Sequence, residues 1–316
     1  MTSAEARVPV EPAGRLRLPR PIAFVLGGGA SFGAVQVGML AALDRAGIRP
    51  DMVVGTSVGA LNGAMLAASP SDAVERLQET WTQLQRRDVL PANLLSVLWR
   101  LTQSATHVVE SVGIEHVSAR TLRARDFAEL HLPFAAVTLD LGTGRARVLD
   151  NGPLLPALLA SAAIPGLFPP VTVEGNVLVD GGAVANVPVT QALDRGAQSL
   201  VVLDCAVPSP DPSTGNLGEI IARVTRIQQR IQVETALPDA TAQVPVVYLA
   251  EPPARRAAPF DFDQTSALIL DATVAASAQL AALQVDGPGL YGDPFARYGD
   301  SVETVAGQVA MPTTAR

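Results

Sequence analysis

The segment VVGTSVG at residues 53–59 constrains the fold of this chain more than any other. A β-branched run enters the pattern Gly-x-Ser-x-Gly, with Gly55, Ser57 and Gly59 at its fixed positions, and the helix-forming segment ALNGAMLAA follows. A strand, a tight turn and a helix in this order are typical of a nucleophile elbow, which exposes a serine hydroxyl at the edge of a sheet. The two glycines remove side chains that would block the turn. The pattern therefore predicts that Ser57 is a nucleophile.

A glycine-rich segment precedes this serine. Residues 22–40, IAFVLGGGASFGAVQVGML, predict a buried strand, a short loop and a helix. The loop and the first turn of the helix contain Gly27, Gly28, Gly29, Ala30 and Gly33. Consecutive backbone N–H groups at a helix N-terminus favour negative charge. We therefore expect that this loop can hold the oxyanion that forms when a serine attacks an acyl group.

Two other kinds of glycine-rich site do not fit this loop. A dinucleotide-binding fingerprint requires Gly at positions i, i+2 and i+5. A run that starts at Gly27 has Phe32 at the last position, and a run that starts at Gly28 has Ala30 at the middle one. A phosphate-binding P-loop requires a lysine, and the chain contains none. A purely structural glycine turn stays open as the alternative.

The histidines do not fit the usual triad. A serine needs a base at neutral pH, and in an α/β-hydrolase this base is a histidine that follows the serine and an acid along the chain. The three histidines are His107, His116 and His131, and the C-terminal half contains none. A histidine-dependent triad is therefore disfavoured, although the order of residues alone leaves His107 and His116 open. We interpret each as a solvated residue of a helix or loop.

A carboxylate can replace the imidazole if it reaches the hydroxyl in a partly dry site. The segment VLVDGGAVANVPV at 177–189 supplies one. A β-branched strand ends at Asp180, and Gly181 and Gly182 let the backbone pass close to another element. The competing interpretation is a plain hairpin, in which residues 171–173 pair with this strand.

Five separated blocks together resemble the patatin-like phospholipase family. They are the glycine-rich loop, GTSVGA, TLDLGTGRARVLD (138–150), ASAAIPGLFPPV (160–171) and LVDGGAVANVPV. The resemblance covers roughly residues 22–205, and several separated blocks in the family's order are more specific than any single block. The resemblance implies an α/β fold of three layers, α/β/α, around a mostly parallel central sheet.

The resemblance also implies roles for individual residues. Ser57 would be the nucleophile and Asp180 the base of a Ser/Asp dyad. The N–H groups of Gly28, Gly29 and Ala30 would hold the oxyanion. The motif glycines would support this geometry, namely Gly27, Gly33, Gly55, Gly59, Gly181 and Gly182. Members that this chain resembles cleave acyl esters of lipids, and many need no metal or dissociable cofactor, so we expect no cofactor here.

One residue departs from the family pattern. The family loop commonly reads Gly-Gly-x-x-Arg/Lys-Gly, and Phe32 occupies the position of the basic residue. An arginine or lysine there would bring positive potential close to an oxyanion or a phosphate group. With phenylalanine, either the backbone amides suffice or the substrate is less anionic.

The segment at 88–118 has an apolar stripe. Leu94, Leu95, Leu98 and Leu101 occur at helical spacing, with Trp99 beside them. Such a stripe is typical of a helix that faces a core. The functional alternative is an apolar cap over the site, in which case Phe32, Leu98 and Trp99 line the path of the substrate.

The sequence thus favours a serine lipid acyl hydrolase of phospholipase A, lipase or esterase type, which is a carboxylic ester hydrolase. Its expected partner is an acyl lipid or ester substrate. The alternatives are an acyltransferase or thioesterase with the same dyad, and a non-catalytic lipid-binding relative. Intact Ser57 and Asp180 argue against the last.

Composition limits the partners and the location. The formal net charge of −7 argues against nucleic acid and gives no general attraction to anionic membranes. The single cysteine, Cys205, cannot form an internal disulfide, so an oxidising compartment is not implied. We find no long uninterrupted apolar run that predicts a transmembrane helix, and the N-terminus does not resemble a secretion signal. We therefore expect a cytoplasmic protein with at most peripheral membrane contact.

One catalytic domain accounts for most of the chain. We predict a disordered basic tail at 1–20, the hydrolase domain at 21–285 and a loose C-terminal extension at 286–316. Strands are predicted at 22–26, 52–55, 134–140, 145–149, 171–173, 177–180, 199–204 and 244–249. Helices are predicted at 33–46, 58–69, 153–162, 188–195, 217–236 and 264–283, with others between 69 and about 125. This alternation predicts a mostly parallel sheet with helices on both faces.

Overall fold

The computed structural model describes residues 16–90, 107, 109–205, 217–249 and 260–294. Nine strands lie in this part of the chain, and all belong to one sheet. They are β1 (Ile22–Leu26), β2 (Met52–Thr56), β3 (Phe134–Asp140), β4 (Arg145–Leu149), β5 (Val171–Val173), β6 (Asn176–Asp180), β7 (Ser199–Leu203), β8 (Pro245–Leu249) and β9 (Gly289–Tyr291).

Ten α-helices connect or cover the described strands. They are α1 (Gly33–Arg45), α2 (Val58–Ala68), α3 (Ala73–Gln83), α4 (Arg86–Val89), α5 (Val112–Thr121), α6 (Leu154–Ser161), α7 (Gly182–Ala185), α8 (Val189–Leu193), α9 (Leu217–Gln243) and α10 (Thr265–Ala282). Short 3-10 turns at Ala30–Phe32 and Phe127–Glu129 complete the regular structure.

The sheet is mostly parallel, with an antiparallel part at one side. The strand order is β5-β6-β3-β2-β1-β7-β8-β9, and β4 also pairs with β3. Strands β3, β2, β1, β7, β8 and β9 run parallel to one another, whereas β4 and β6 run antiparallel to β3 and β5 runs antiparallel to β6. The carboxyl ends of the parallel strands share one edge, where sites in open α/β sheets gather.

Helices cover both faces of the sheet, so the predicted three-layer α/β/α fold is confirmed. One core joins the sheet to α1, α2, α3, α6 and α10, and the other joins it to α8 and α9. Strands β1, β7 and β8 are buried along their whole length. Their β-branched and leucine-rich sequences suit strands with no solvent-facing side.

Helices α1 and α10 cross at a glycine. A Cβ at Gly38 would lie only 2.3 Å from the carbonyl oxygen of Ile269, so no larger residue fits without a shift of backbone. Helix α10 is long and apolar enough to cross a membrane by length and composition alone. Leu268, Ile269 and Ala272 on one of its faces are buried in the core that α1 shares, whereas Leu270 and Val274 are exposed.

The predicted strand and helix boundaries agree with the structure to within about two residues in most cases. Helix α9 is the main exception, because it continues to Gln243 through Pro238 instead of ending near residue 236. The predicted hairpin of residues 171–173 with the following strand forms as well, as β5 and β6.

Both ends of the described chain contact the sheet or its core. Near the start, Leu18 is buried in the core and Arg20 forms an ion pair with Asp51. Near the end, β9 adds a parallel strand beside β8. Leu98 and Trp99 lie outside the described residues, as does most of the predicted Leu-rich helix.

We expect Gly38→Ala to destabilise the protein, although alanine is the better helix former. In an exposed helix this change would stabilise by about 1 kcal/mol. Here the new methyl group would meet the backbone of α10, and overpacking of this kind costs about 1–3 kcal/mol. Thermal unfolding of the wild type and of Gly38→Ala shows whether the substitution lowers or raises stability. A melting temperature of the variant at or above that of the wild type would contradict the close crossing of α1 and α10.

Candidate active site

Ser57 lies on a strained turn between β2 and α2. Its φ of 56° and ψ of −126° are unusual for a residue with a side chain. The flanking glycines are required by close contacts. A Cβ at Gly59 would lie 2.2 Å from the carbonyl oxygen of Leu26, and one at Gly55 would lie 2.4 Å from that of Gly59. The predicted nucleophile elbow is therefore present, and it packs directly against the end of β1.

A second serine holds the backbone of the elbow. The N–H of Ser57 donates to Ser161 Oγ at 3.0 Å, and the Ser161 hydroxyl donates to the carbonyl oxygen of Val137 at 2.7 Å. Ser161 is completely buried at the end of α6. Sequence analysis did not single it out, although it lies within the block ASAAIPGLFPPV.

Asp180 ends β6 and faces Ser57. Its Oδ1 accepts a hydrogen bond from the N–H of Gly182 at 2.7 Å, and the Ser57 side chain lies close enough to the carboxylate to lower its pKa. Burial nevertheless raises the pKa of the Asp180 carboxyl to about 6, and the interactions with Ser57 and Gly182 oppose the shift. A Cβ at Gly181 would lie 2.5 Å from the carbonyl oxygen of Val137, so the strand end fits only glycine.

The glycine-rich loop lies between β1 and α1 beside the elbow. The N–H of Gly28, which we expected to hold the oxyanion, donates instead to the carbonyl oxygen of Asn186 at 3.0 Å in this structure. No acceptor among the described residues takes the N–H groups of Gly29 or Ala30. Ala30 has a φ of 50°, and a Cβ at Gly29 would lie 2.1 Å from the carbonyl oxygen of Cys205.

A series of hydrogen bonds between buried polar side chains connects this loop to the helices that pack against it. Trp81 Nε1 donates to Asn62 Oδ1 at 2.9 Å, and Asn62 Nδ2 donates to Gln36 Oε1 at 2.9 Å. Gln36 Nε2 in turn donates to the carbonyl oxygen of Gly27 at 2.7 Å. Helices α1, α2 and α3 are thereby joined to the start of the loop. Sequence analysis missed all three side chains, because residues of these types in helices give no local signal.

A cavity of about 100 Å³ opens beside Ser57. Ala30 and Ser31 line it on the side of the loop. Its other walls are mainly apolar and include Leu61, Met65, Trp81, Leu84, Ile114 and Phe168. We call this cavity the apolar chamber. A larger cavity of about 640 Å³ shares six lining residues with it, among them Met65 and Thr80, but neither Ser57 nor Asp180 lines this larger cavity.

We expected Phe32 to line the path of the substrate, but it lies outside the wall of the chamber. Its side chain is completely buried in the core shared by the sheet and α1, and it is not part of the chamber wall. The histidines also lie away from the serine. His131 Nδ1 is 2.8 Å from the carbonyl oxygen of Ala68, His107 Nε2 is 3.4 Å from Glu110 Oε1, and His116 lines the larger cavity.

Within the described residues, no group of three or more His, Cys, Asp or Glu side chains is arranged to hold a metal ion.

Comparison with known proteins identifies relatives of this chain. Residues 24–193 match the model of the patatin-like phospholipase family. Patatin-like phospholipase domain-containing protein 7 of Mus musculus is 31% identical over 193 residues, which are 60% of this chain and 14% of that protein. Lysophospholipase NTE1 of Mycosarcoma maydis is 33% identical over 187 residues, which are 58% of this chain and 10% of that protein. The chain therefore spans only a small part of these relatives.

Solved structures show similarity at low sequence identity. Human GIVD cytosolic phospholipase A2, in complex with a fluorophosphonate inhibitor, aligns with a TM-score of 0.45 and 13% identity. The alignment covers 83% of this chain and 58% of that one. VipD from Legionella pneumophila aligns with a TM-score of 0.43 and 13% identity, over 83% of this chain and 67% of that one.

We predict that the reactivity of Ser57 depends on pH through Asp180. The carboxyl must be ionised to accept a proton, and its pKa of about 6 means that it is increasingly protonated below that pH. The rate of labelling by a fluorophosphonate should therefore be highest above pH 7 and fall about tenfold per pH unit well below 6. A midpoint near 4, the value of an exposed carboxyl, would contradict the effect of burial.

Proposed function

We propose that this chain, which belongs to the patatin-like phospholipase family, is a serine lipid acyl hydrolase with a Ser57/Asp180 dyad. The observation that carries this proposal is the proximity of the Ser57 side chain to a buried carboxylate, that of Asp180, whose pKa is raised to about 6. A base with this pKa is ionised at neutral pH and still basic enough to accept a proton in the transition state.

The geometry supports acyl transfer in two steps. Ser57 Oγ attacks the carbonyl carbon of an ester while its proton passes to Asp180, and the carbonyl oxygen becomes an oxyanion. We assign the N–H groups of Gly29 and Ala30, which no acceptor among the described residues takes, as the donors to it. Collapse of this tetrahedral intermediate expels the alcohol, which takes the proton from Asp180 and leaves the acyl group on Ser57. Water, deprotonated by Asp180, then attacks the acyl-enzyme, and the fatty acid leaves as Ser57 regains its proton.

The apolar chamber supports an acyl chain as the group bound beside Ser57. Its walls are mainly carbon, and Ser57 lies at its boundary. Each methylene that the chamber removes from water adds about 0.8 kcal/mol of transfer free energy. This energy accelerates the reaction if the bound chain fixes the ester against Ser57 in the transition state.

The leaving group is less constrained than the acyl group. Phe32 is buried in the core and brings no charge to the loop, so nothing at this position favours a phosphate over a neutral headgroup. Curated relatives include a protein named as a lysophospholipase. We propose the broad class of lipid esters as substrates, and peripheral contact with the membrane or micelle that holds them.

Replacement of the dyad residues tests the proposal directly. Ser57→Ala should abolish both ester hydrolysis and fluorophosphonate labelling, because it removes the nucleophile. Asp180→Asn should reduce hydrolysis by roughly 10²-fold or more, since the amide keeps the shape but accepts no proton. Rates on lipid and p-nitrophenyl esters measure both effects, and product analysis with an added acyl acceptor distinguishes hydrolysis from acyl transfer.

His131→Ala and His107→Ala serve as controls, and both should keep activity near that of the wild type. Wild-type protein that neither labels nor hydrolyses any ester would identify a non-catalytic lipid-binding relative instead. Loss of activity in a histidine variant, with activity retained in Asp180→Asn, would require a different base.

The chamber predicts a dependence on chain length. Thr80 lines the chamber, whereas Thr82 lies exposed on the same helix, α3. Thr80→Phe should fill part of the chamber and reduce turnover of long-chain p-nitrophenyl esters more than that of acetate. Thr82→Phe, the matched control, should leave the profile unchanged. Equal losses at every chain length in Thr80→Phe would show that the acyl group binds elsewhere.

A further inference from the structure

Asn186 lies between the two loops that carry the site. It follows the short helix α7, which begins directly after Asp180 and Gly181, and its side chain is almost completely buried. A buried amide in such a position needs partners for both its nitrogen and its oxygen. Both partners are present, and each connects a different part of the molecule.

The first connection is to the glycine-rich loop. Asn186 Nδ2 donates to the carbonyl oxygen of Gly28 at 3.2 Å, and the N–H of Gly28 donates to the carbonyl oxygen of Asn186 at 3.0 Å. Both polar groups of Gly28 are therefore held by one residue. This arrangement orients the peptide units that follow, whose N–H groups, those of Gly29 and Ala30, donate to no acceptor in the part of the chain that the structure describes.

The second connection is to helix α9. Gln229 Nε2 donates to Asn186 Oδ1 at 3.0 Å, which fixes the orientation of the amide. Gln232 Oε1 accepts from the N–H of Asn186 at 2.9 Å, while Gln232 Nε2 donates to the carbonyl oxygen of Ala183 at 2.8 Å. Two glutamines one turn apart thus hold both ends of α7.

Asn186 also lies close to the base. A Cβ at Gly182 would be 3.1 Å from Asn186 Oδ1 and 3.1 Å from Asp180 Oδ1, so the two oxygens flank the same glycine. A Cβ at Gly28 would be 2.7 Å from Asn186 Oδ1, which leaves no room for a side chain in the loop either. The oxyanion loop, Asn186 and the turn after Asp180 form one packed unit.

We propose that Asn186, held by Gln229 of α9, is a positioning residue that sets the oxyanion loop relative to the Ser57/Asp180 dyad. The proposal rests on the proposed function and goes beyond it, because Asn186 acts on the reaction only through the peptide groups that it orients. Misplacement of such groups by about 1 Å is enough to cost roughly 10²-fold in rate. Its effect should therefore appear in kcat and not in KM.

Asn186→Asp is the most informative variant, because it keeps the shape and the acceptor for Gln229 but loses the donor to Gly28. We expect kcat per active site to fall by about 10- to 100-fold, with KM nearly unchanged. The new carboxylate beside Asp180 should also raise the pKa of that base and move the pH midpoint of kcat upward. Active sites are counted by fluorophosphonate titration, so that misfolded protein does not lower the measured kcat.

Gln229→Ala provides a second variant, because it leaves Asn186 in place and removes only the donor that orients it. We expect a smaller decrease in kcat, again with KM retained. Gln228→Ala is the matched control, since Gln228 is the neighbouring glutamine of α9 and its side chain is exposed. It should behave as the wild type. If Asn186→Asp does not fold, Gln229→Ala decides the question by the same measurements.

The outcomes separate this proposal from the proposed function. Wild-type kcat per titrated site and a wild-type pH midpoint in both variants would overturn the positioning role while leaving the hydrolase intact. A lower melting temperature with unchanged kcat per site would show that Asn186 is merely structural. Absence of Ser57-dependent labelling and hydrolysis in the wild type would instead reject the proposed function itself.

Discussion

The backbone conformation of Ser57 is the constraint on which the rest of the site depends. A residue with a side chain in this region of φ and ψ costs about 1–3 kcal/mol and persists only where its surroundings impose it. Here Gly59 packs against the end of β1, and Ser161 Oγ accepts a hydrogen bond from the N–H of Ser57. Because the loop that leaves β1 begins at this contact, a single packing arrangement positions both the hydroxyl and the N–H groups beside it.

The site also depends on the burial of Asp180, and this burial lowers the stability of the folded state at neutral pH. A carboxyl whose pKa is about 6 when folded and about 4 when unfolded stabilises the folded state most at low pH. That contribution is lost as the pH rises through 6, and the contribution at low pH exceeds that above pH 6 by roughly 3 kcal/mol. The enclosure that raises the pKa of Asp180 therefore costs stability at neutral pH, which the two large cores on either side of the sheet must offset.

Local patterns predicted the elements, because strands with both faces buried, glycine turns and helices each have a characteristic sequence. The proximity of Ser57 to Asp180 brings together segments that pattern alone could place only at one edge of the sheet. The occupied N–H of Gly28, the burial of Phe32 and the hydrogen bonds of Ser161 and Asn186 depend on contacts between distant segments. Strand β9 was missed since three residues with glycine at the start give too short a signal.

The buried Phe32 explains why the loop has no basic residue. Its side chain is enclosed by the core between the sheet and the helices on that face, and an arginine in the same position would place an unpaired charge there at a cost of several kcal/mol. The proposed oxyanion donors, the N–H groups of Gly29 and Ala30, are instead neutral peptide groups that precede α1. Such groups are effective where water is excluded, because a low local dielectric strengthens their interaction with a developing charge. The apolar chamber provides that environment, so the same side chains that would bind an acyl chain also allow backbone amides to replace a cation.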